Sequence, residues 1–132
     1  MKQYTFPKPE HLCLRGEIEA LFSAGSRAMT IYPLRAVYRF VPRSNDPAVK
    51  VLLSVSKRRF KHAVDRNRAK RQLREAYRHR KAPLFAALSG DKSLHLGFIW
   101  LSDRSIPSAE VDEKVDLLLR RIAERVPKAE IQ

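Results

Sequence analysis

Apolar positions recur along the chain at two spacings, and each spacing assigns an element. In "LRGEIEALFSAG" Leu14, Ile18, Leu21 and Phe22 fall at i, i+4, i+7 and i+8, which is one stripe of a helix. Gly25 stands where a left-handed residue would close it. In "MTIYPLRAVYRFV" the period drops to two. Leu34, Ala36, Tyr38 and Phe40 alternate with Arg35, Val37, Arg39 and Val41, which predicts a strand. Pro33 lacks an N–H, so the regular strand starts just after it or lies at an edge. "PRSNDP" at 42–47 collects turn formers, and "AVKVLLSVS" follows as a second, mostly buried strand. A hairpin-like connection would make these two strands antiparallel neighbours. "LHLGFIWLS" at 94–102 is almost continuously apolar and predicts a third strand covered on both faces. "IPSAEVDEKVDLLLRRIAERV" closes the chain as a helix, with Val111, Val115, Leu118, Leu119, Ile122 and Val126 as its core stripe. Ser108 suits its N-cap, and Glu110, Asp112 and Glu113 suit the positive end of its dipole.

Between the second and third strands lies "KRRFKHAVDRNRAKRQLREAYRHRK", residues 57–81, with twelve Lys or Arg against Asp65 and Glu75. A helix is predicted from about Ala63 to about Lys81, after which Pro83 either kinks it or opens a short further turn. Ala69, Leu73, Ala76 and Tyr77 fall on one side as a core stripe; Asn67, Lys70, Arg71, Arg74 and Arg78 fall on a neighbouring arc. Lys70, Arg74 and Arg78 are successive i, i+4 like charges, each pair costing an isolated helix roughly 0.2–0.5 kcal/mol. Glu75 offsets part of this through Arg71 and Arg78. A polyanionic partner outweighs those costs, because neutralising several phosphates changes affinity by about 10³ or more over a moderate salt range. A solvated charged face is the ordinary alternative, but such faces mix signs, and arginine offers a planar fork that matches phosphate oxygens.

The totals agree. The chain has 132 residues, room for one domain, and a net charge of +13. That charge points to nucleic acid first and an anionic membrane surface second. No apolar run approaches the roughly 20 residues of a membrane span, and "MKQYTFPKPEHLCLRG" lacks a signal core, so a cytoplasmic location is expected. Cys13, the only cysteine, excludes an internal disulfide and a thiolate cluster. His11, His62, His79 and His95 lack ligand spacing, the acids Asp46, Asp65, Glu75, Asp91 and Asp103 are scattered, and the four glycines are isolated. A stand-alone metal nuclease is therefore disfavoured, although His62 and His79 could touch phosphate.

"LLSVSKRRFKHAVDRNRAKRQLREAYR", residues 52–78, resembles the signature region of the protein subunit of bacterial ribonuclease P. The Ser-Val-Ser-Lys strand end, Ala-Val, Arg-Asn-Arg, Lys-Arg and Arg-Glu-Ala-aromatic run stand in order, with looser similarity upstream and downstream. The resemblance implies an α+β fold: a single-domain α-β-β-α-β-α two-layer sandwich, with a small mixed sheet and a left-handed βαβ crossover, like a ribosomal-protein domain. Residues 12–127 would form that domain, with 1–11 a lead-in and 128–132 a tail. It also implies a function. The protein would assist the catalytic RNA of ribonuclease P in cutting the 5′ leader from precursor tRNA. Scission and its Mg2+ would belong to the RNA, no metal would bind tightly to the protein, and neither a protein partner nor a membrane would be needed. Arg66, Asn67, Arg68, Lys70, Arg71, Arg74 and Arg78, with Lys57 and Arg58, would face the RNA subunit. Phe22, Tyr38, Ile18, Arg39, Lys50, Ser54 and Ser56 would line the leader cleft, Ile18 replacing a common aromatic. Phe22 fits core packing equally well; the hydroxyl of Tyr38 suits a wet groove. A ribosome-associated or general structured-RNA binder is the competing reading.

Overall fold

A computed structural model describes residues 11–12, 15–23, 25–42, 48–88 and 92–126. Cys13, Leu14, the turn residues 43–47 with Asp46, Asp91, most of the 1–11 lead-in and the 128–132 tail lie outside them. The elements in chain order are α1 (Arg15–Leu21), β1 (Arg27–Ile31), β2 (Leu34–Pro42), β3 (Val49–Ser54), α2 (Ala63–Arg80), α3 (Ala82–Ala87), β4 (Lys92–Trp100) and α4 (Ser108–Glu124).

Two elements exceed the expected order. The "MTIYPLRAVYRFV" strand is two strands, β1 and β2, folded against each other at Tyr32 and Pro33, whose peptide bond is cis. Pro33 has no N–H for a ladder, and its carbonyl accepts from Leu101 N at 2.8 Å. α3 is the short further turn, with Pro83 in its first positions.

The strand order is β1-β2-β4-β3, so β2 and β3 are not neighbours, contrary to the hairpin expectation. β4 inserts between them, antiparallel to β2 and parallel to β3. A nearly all-apolar strand needs neighbours on both edges and cover on both faces, and the centre of the sheet supplies both. α2 and α3 connect the parallel pair β3 and β4.

Alternation then divides the sheet. Leu34, Ala36 and Tyr38 of β2, Val49 and Val51 of β3, and Leu94, Leu96, Phe98 and Trp100 of β4 pack with α2 and α4. Leu73 and Tyr77 come from α2, and Val111, Val115, Leu118, Leu119 and Ile122 from α4, as their periodicity predicts. Each such apolar side chain contributes about 1.5–3 kcal/mol by burial. On the opposite face Val37, with Leu52 and Ile99, meets Leu12 and Leu21, and Ile18 packs beside them. Among the described residues that second layer is thin, α1 having 7 residues. No helix among the described residues is long and apolar enough to cross a membrane.

The helix ends also differ from expectation. Gly25 has no positive φ. Ser23 closes α1 instead, its N–H and Oγ both donating to the carbonyl of Ala20, at 3.1 and 2.6 Å. Pro107, not Ser108, is the N-cap of α4. Ser108 Oγ is 3.1 Å from Gln72 Nε2, which also donates to the carbonyl of Ile106 at 2.6 Å, so α2 stitches the start of α4 in place.

Candidate nucleic-acid interface

The turn from β3 into α2 is built around two buried anchors, Val55 and Phe60, the latter with its ring 6.1 Å from that of Trp100. The carbonyl of Ser56 accepts from the N–H groups of Arg59 and Phe60, which throws Lys57 and Arg58 into solvent. Ser54, Ser56, Arg58 and Arg59 line one side of a concavity, with Ile99, Trp100 and Leu101 on the other. Arg59 is a cation that the signature did not single out.

Within α2 the three residues of "RNR" point in three directions. Arg66 turns inward, Nη1 donating to the carbonyls of Phe60 and Lys61 at 2.9 and 3.0 Å. It holds the basic turn against the helix start, so its first duty is structural. Asn67 is exposed on the outer arc. Arg68 lies on the other flank, 3.4 Å from Ser105 Oγ. The continuous band is instead Asn67, Lys70, Arg71, Arg74 and Arg78. Arg78 donates to Glu75 at 2.6 Å and is partly neutralised. Lys70, Arg71 and Arg74 have no hydrogen bond or ion pair with any described residue. Lys70 and Arg74 overhang the outer edge of β3, sharing a groove with His11, Leu12 and Val51. On the α4 side Arg80 pairs with Asp112; that hydrogen bond, reinforced by the carboxylate's charge, raises the guanidinium pKa above its ordinary value.

The seven residues expected to share a leader cleft do not all share a surface. Phe22 is 48% exposed at the end of α1, and its ring borders Gly97 on β4. A Cβ at Gly97 would sit 3.2 Å from Leu21 Cδ2, so glycine lets α1 lie close to the sheet. Ile18 is half-buried against the same layer. Tyr38 is on the opposite face, 0% exposed, with its hydroxyl accepting from Arg125 at 3.0 Å. It cannot serve as a stacking platform in this arrangement. Lys50 faces α1 but is 7% exposed, its ammonium 3.2 Å from Glu17 Oε1; His95 Nε2 is 3.7 Å from Glu17 Oε2. Lys50 thus ties α1 to the sheet. Arg39 reaches the carbonyl of Ala20 at 3.5 Å. Arg35, exposed, and Ile99, half-buried and paired with it in register, share the α1 face beside Ser54 and were not anticipated. The strand alternation at Arg35 was the clue.

Among the described residues no three His, Cys, Asp or Glu side chains gather where they could hold a metal ion. The family model described as Ribonuclease P matches residues 6–123. The chain belongs to the ribonuclease P protein family. It is 38% identical to the ribonuclease P protein component of Porphyromonas gingivalis over 98% of this chain and 94% of that one. It is likewise 38% identical to the component from Chlorobium phaeobacteroides, with 77% of each chain covered. The solved ribonuclease P protein from Thermotoga maritima has the same fold, with a TM-score of 0.63 over 85% of this chain and 96% of that one at 21% identity. For a member of this family, the described geometry offers two surfaces of different chemistry: a one-signed basic ridge with its turn, and a shallow sheet face edged by one exposed aromatic ring.

Proposed function

We propose that this chain is the RNA-binding subunit of ribonuclease P, docking through α2 on the RNA subunit that removes the 5′ leader from precursor tRNA. The observation that carries this reading is the outer arc of α2, where Arg71 and Arg74 stand exposed and Lys70 half-buried, all three with no acidic partner among the described residues, in a chain of this family. Arginine forks and the lysine ammonium replace condensed counterions along an RNA backbone, and each phosphate so neutralised steepens the salt dependence by about 0.7–0.9. Arg66 acts earlier in the chain of causes. By fixing the carbonyls of Phe60 and Lys61 it holds in place the turn that carries Lys57, Arg58 and Arg59.

The protein holds RNA and performs no bond-breaking step. Strand scission belongs to the RNA subunit with its magnesium, and no carboxylate cluster among the described residues fits that ion. Phe22, with Arg35, Ser54 and Ile99 on the same face, would receive a single-stranded leader: the ring stacks on a base, and Arg35 meets a phosphate. Full-length protein added to a bacterial ribonuclease P RNA is expected to lower the magnesium needed to cut a leader-bearing precursor tRNA. Unchanged cleavage at low magnesium would refute this reading.

A further inference from the structure

The sheet edge farthest from α2 carries a second cation cluster that the interface above leaves unused. β1 begins at Arg27, opposite Tyr38, so residues 39–42 of β2 have no strand partner on that side among the described residues. Into this corner come Arg27 from β1, Arg39 from β2 and Arg125 from the end of α4, which with Phe40 line a concavity of about 220 Å³. Among the described residues no acid lines it, whereas Glu75 and Asp112 line the groove between α2 and α4 beside Arg71.

The donors are arranged, and no carboxylate among the described residues pairs with them. The buried Tyr38 hydroxyl accepts from Arg125 and so fixes one arm of that guanidinium. Arg39 is loosely held by the carbonyl of Ala20. Arg27 is exposed and has no partner among the described residues. Guanidinium groups accept nothing, so three of them in one corner present donors and positive charge only. Gly25 leaves the rim open, with nothing within 4 Å of where a Cβ would stand. Phe40 supplies a half-buried apolar wall.

We infer that this corner binds one phosphodiester of an RNA strand. The inference rests on the reading that the chain binds RNA, and it adds a contact which the α2 ridge cannot make. β1 and β3 are the two edges of the sheet, three strand spacings or about 14 Å apart. An RNA seated on α2 reaches the corner only by wrapping the sheet, or a second strand fills it. The phosphate therefore comes from the RNA subunit or from the substrate, and two titrations separate these sources.

Full-length chain carrying Arg27→Glu or, separately, Arg125→Gln is titrated with the RNA subunit across about 50 to 200 mM salt. The holoenzyme made with each variant is then titrated with leader-bearing and with mature tRNA. The expected result is a salt slope lower by about one, so that the affinity loss is about fourfold larger at the low-salt end. A drop in the first titration assigns the phosphate to the RNA subunit, and a drop confined to the second assigns it to the substrate. Unchanged slopes for both variants in both titrations overturn the inference; weakened binding by Arg74→Gln in the same series leaves the RNA reading standing. A wild-type chain that binds neither RNA overturns both. Arg27 makes no contact that folding needs, so its variant guards against a result caused by misfolding at Arg125.

Discussion

Helices α2 and α4 are nearly equal in length, 18 and 17 residues, and pack side by side over one face of the sheet. Each buries an apolar stripe: Ala69, Leu73, Ala76 and Tyr77 from α2, and Val111, Val115, Leu118, Leu119 and Ile122 from α4. Their outer surfaces follow opposite rules. α4 carries five acids and three cations, and it answers its own charges, as Asp116 does with Arg120, or those of its neighbour, as Asp112 does with Arg80. α2 carries seven cations and two acids, and leaves Lys70, Arg71 and Arg74 unanswered among the described residues. The stripes carry the packing of both helices on the sheet. The charge difference between two structurally equivalent helices is therefore the mark of function, and it locates the polyanion on α2.

The largest expected effect comes from reversing that difference. Lys70→Glu with Arg74→Glu removes two phosphate contacts and adds repulsion. It is expected to weaken RNA-subunit affinity by about 100-fold at moderate salt and to lower the salt slope by about one per residue. The fold should survive, because positions 70 and 74 remain a like-charged i, i+4 pair while position 74 becomes attractive to Arg78, so the net change is a few tenths of a kcal/mol. Filter binding across a salt series, with a urea melt beside it, measures both. An affinity unchanged by this double reversal would erase the functional contrast between the helices.

Next comes Arg66, which belongs to the basic segment in sequence but to the scaffold in structure. Arg66→Ala strips the charged hydrogen bonds to the carbonyls of Phe60 and Lys61. It is expected to cost about 1.5 kcal/mol of stability in denaturant unfolding. Arg71→Ala should leave stability unchanged and lower only RNA affinity. If the two variants unfold alike, Arg66 is one more surface cation.

Both stripes and the basic arc of α2 were legible in the sequence, since helix periodicity is local and Leu73 or Lys70 reports its side within a few residues. The place of β4 was not. The turn formers at 42–47 signal only that the chain reverses, while the insertion of β4 between β2 and β3 is settled by a strand some forty residues later. Its unbroken apolar run hinted at a central position. Tyr38 and Arg39 illustrate a different loss. Adjacent strand residues face opposite sides, so the alternation already separated them, yet the family resemblance drew both into one cleft. The inward turn of Arg66 left no sequence trace, because a carbonyl-capping arginine and a phosphate-binding one look identical in "RNR".

Phe22 offers a smaller effect that sharpens where the substrate lies relative to the two helices. It is exposed on the face away from α2 and α4, so Phe22→Ala should barely alter stability or RNA-subunit affinity. Loss of one stacked base costs about 1–3 kcal/mol, so precursor tRNA binding by the holoenzyme should fall roughly tenfold with mature tRNA unaffected. Equal losses for both tRNAs would take the leader off this face.

The smallest effect is expected on α4, and it tests the comparison from its quiet side. Glu113→Gln and Arg120→Gln change exposed charges on a helix whose cations and acids lie interspersed. Arg120 forms an i, i+4 pair with Asp116 at 3.1 Å while two-thirds exposed, a class of ion pair worth no more than a few tenths of a kcal/mol. Stability and RNA-subunit affinity should both stay within error of wild type across the salt series that exposes Lys70 and Arg74. The argument turns on sign as well as size. If RNA also approached the outer face of α4, Glu113→Gln would strengthen binding by removing a repelling carboxylate and Arg120→Gln would weaken it, and the split would widen as salt is lowered. Two flat salt slopes, superimposable on that of the wild-type chain, are what a docking surface confined to α2, its turn and the far sheet edge requires.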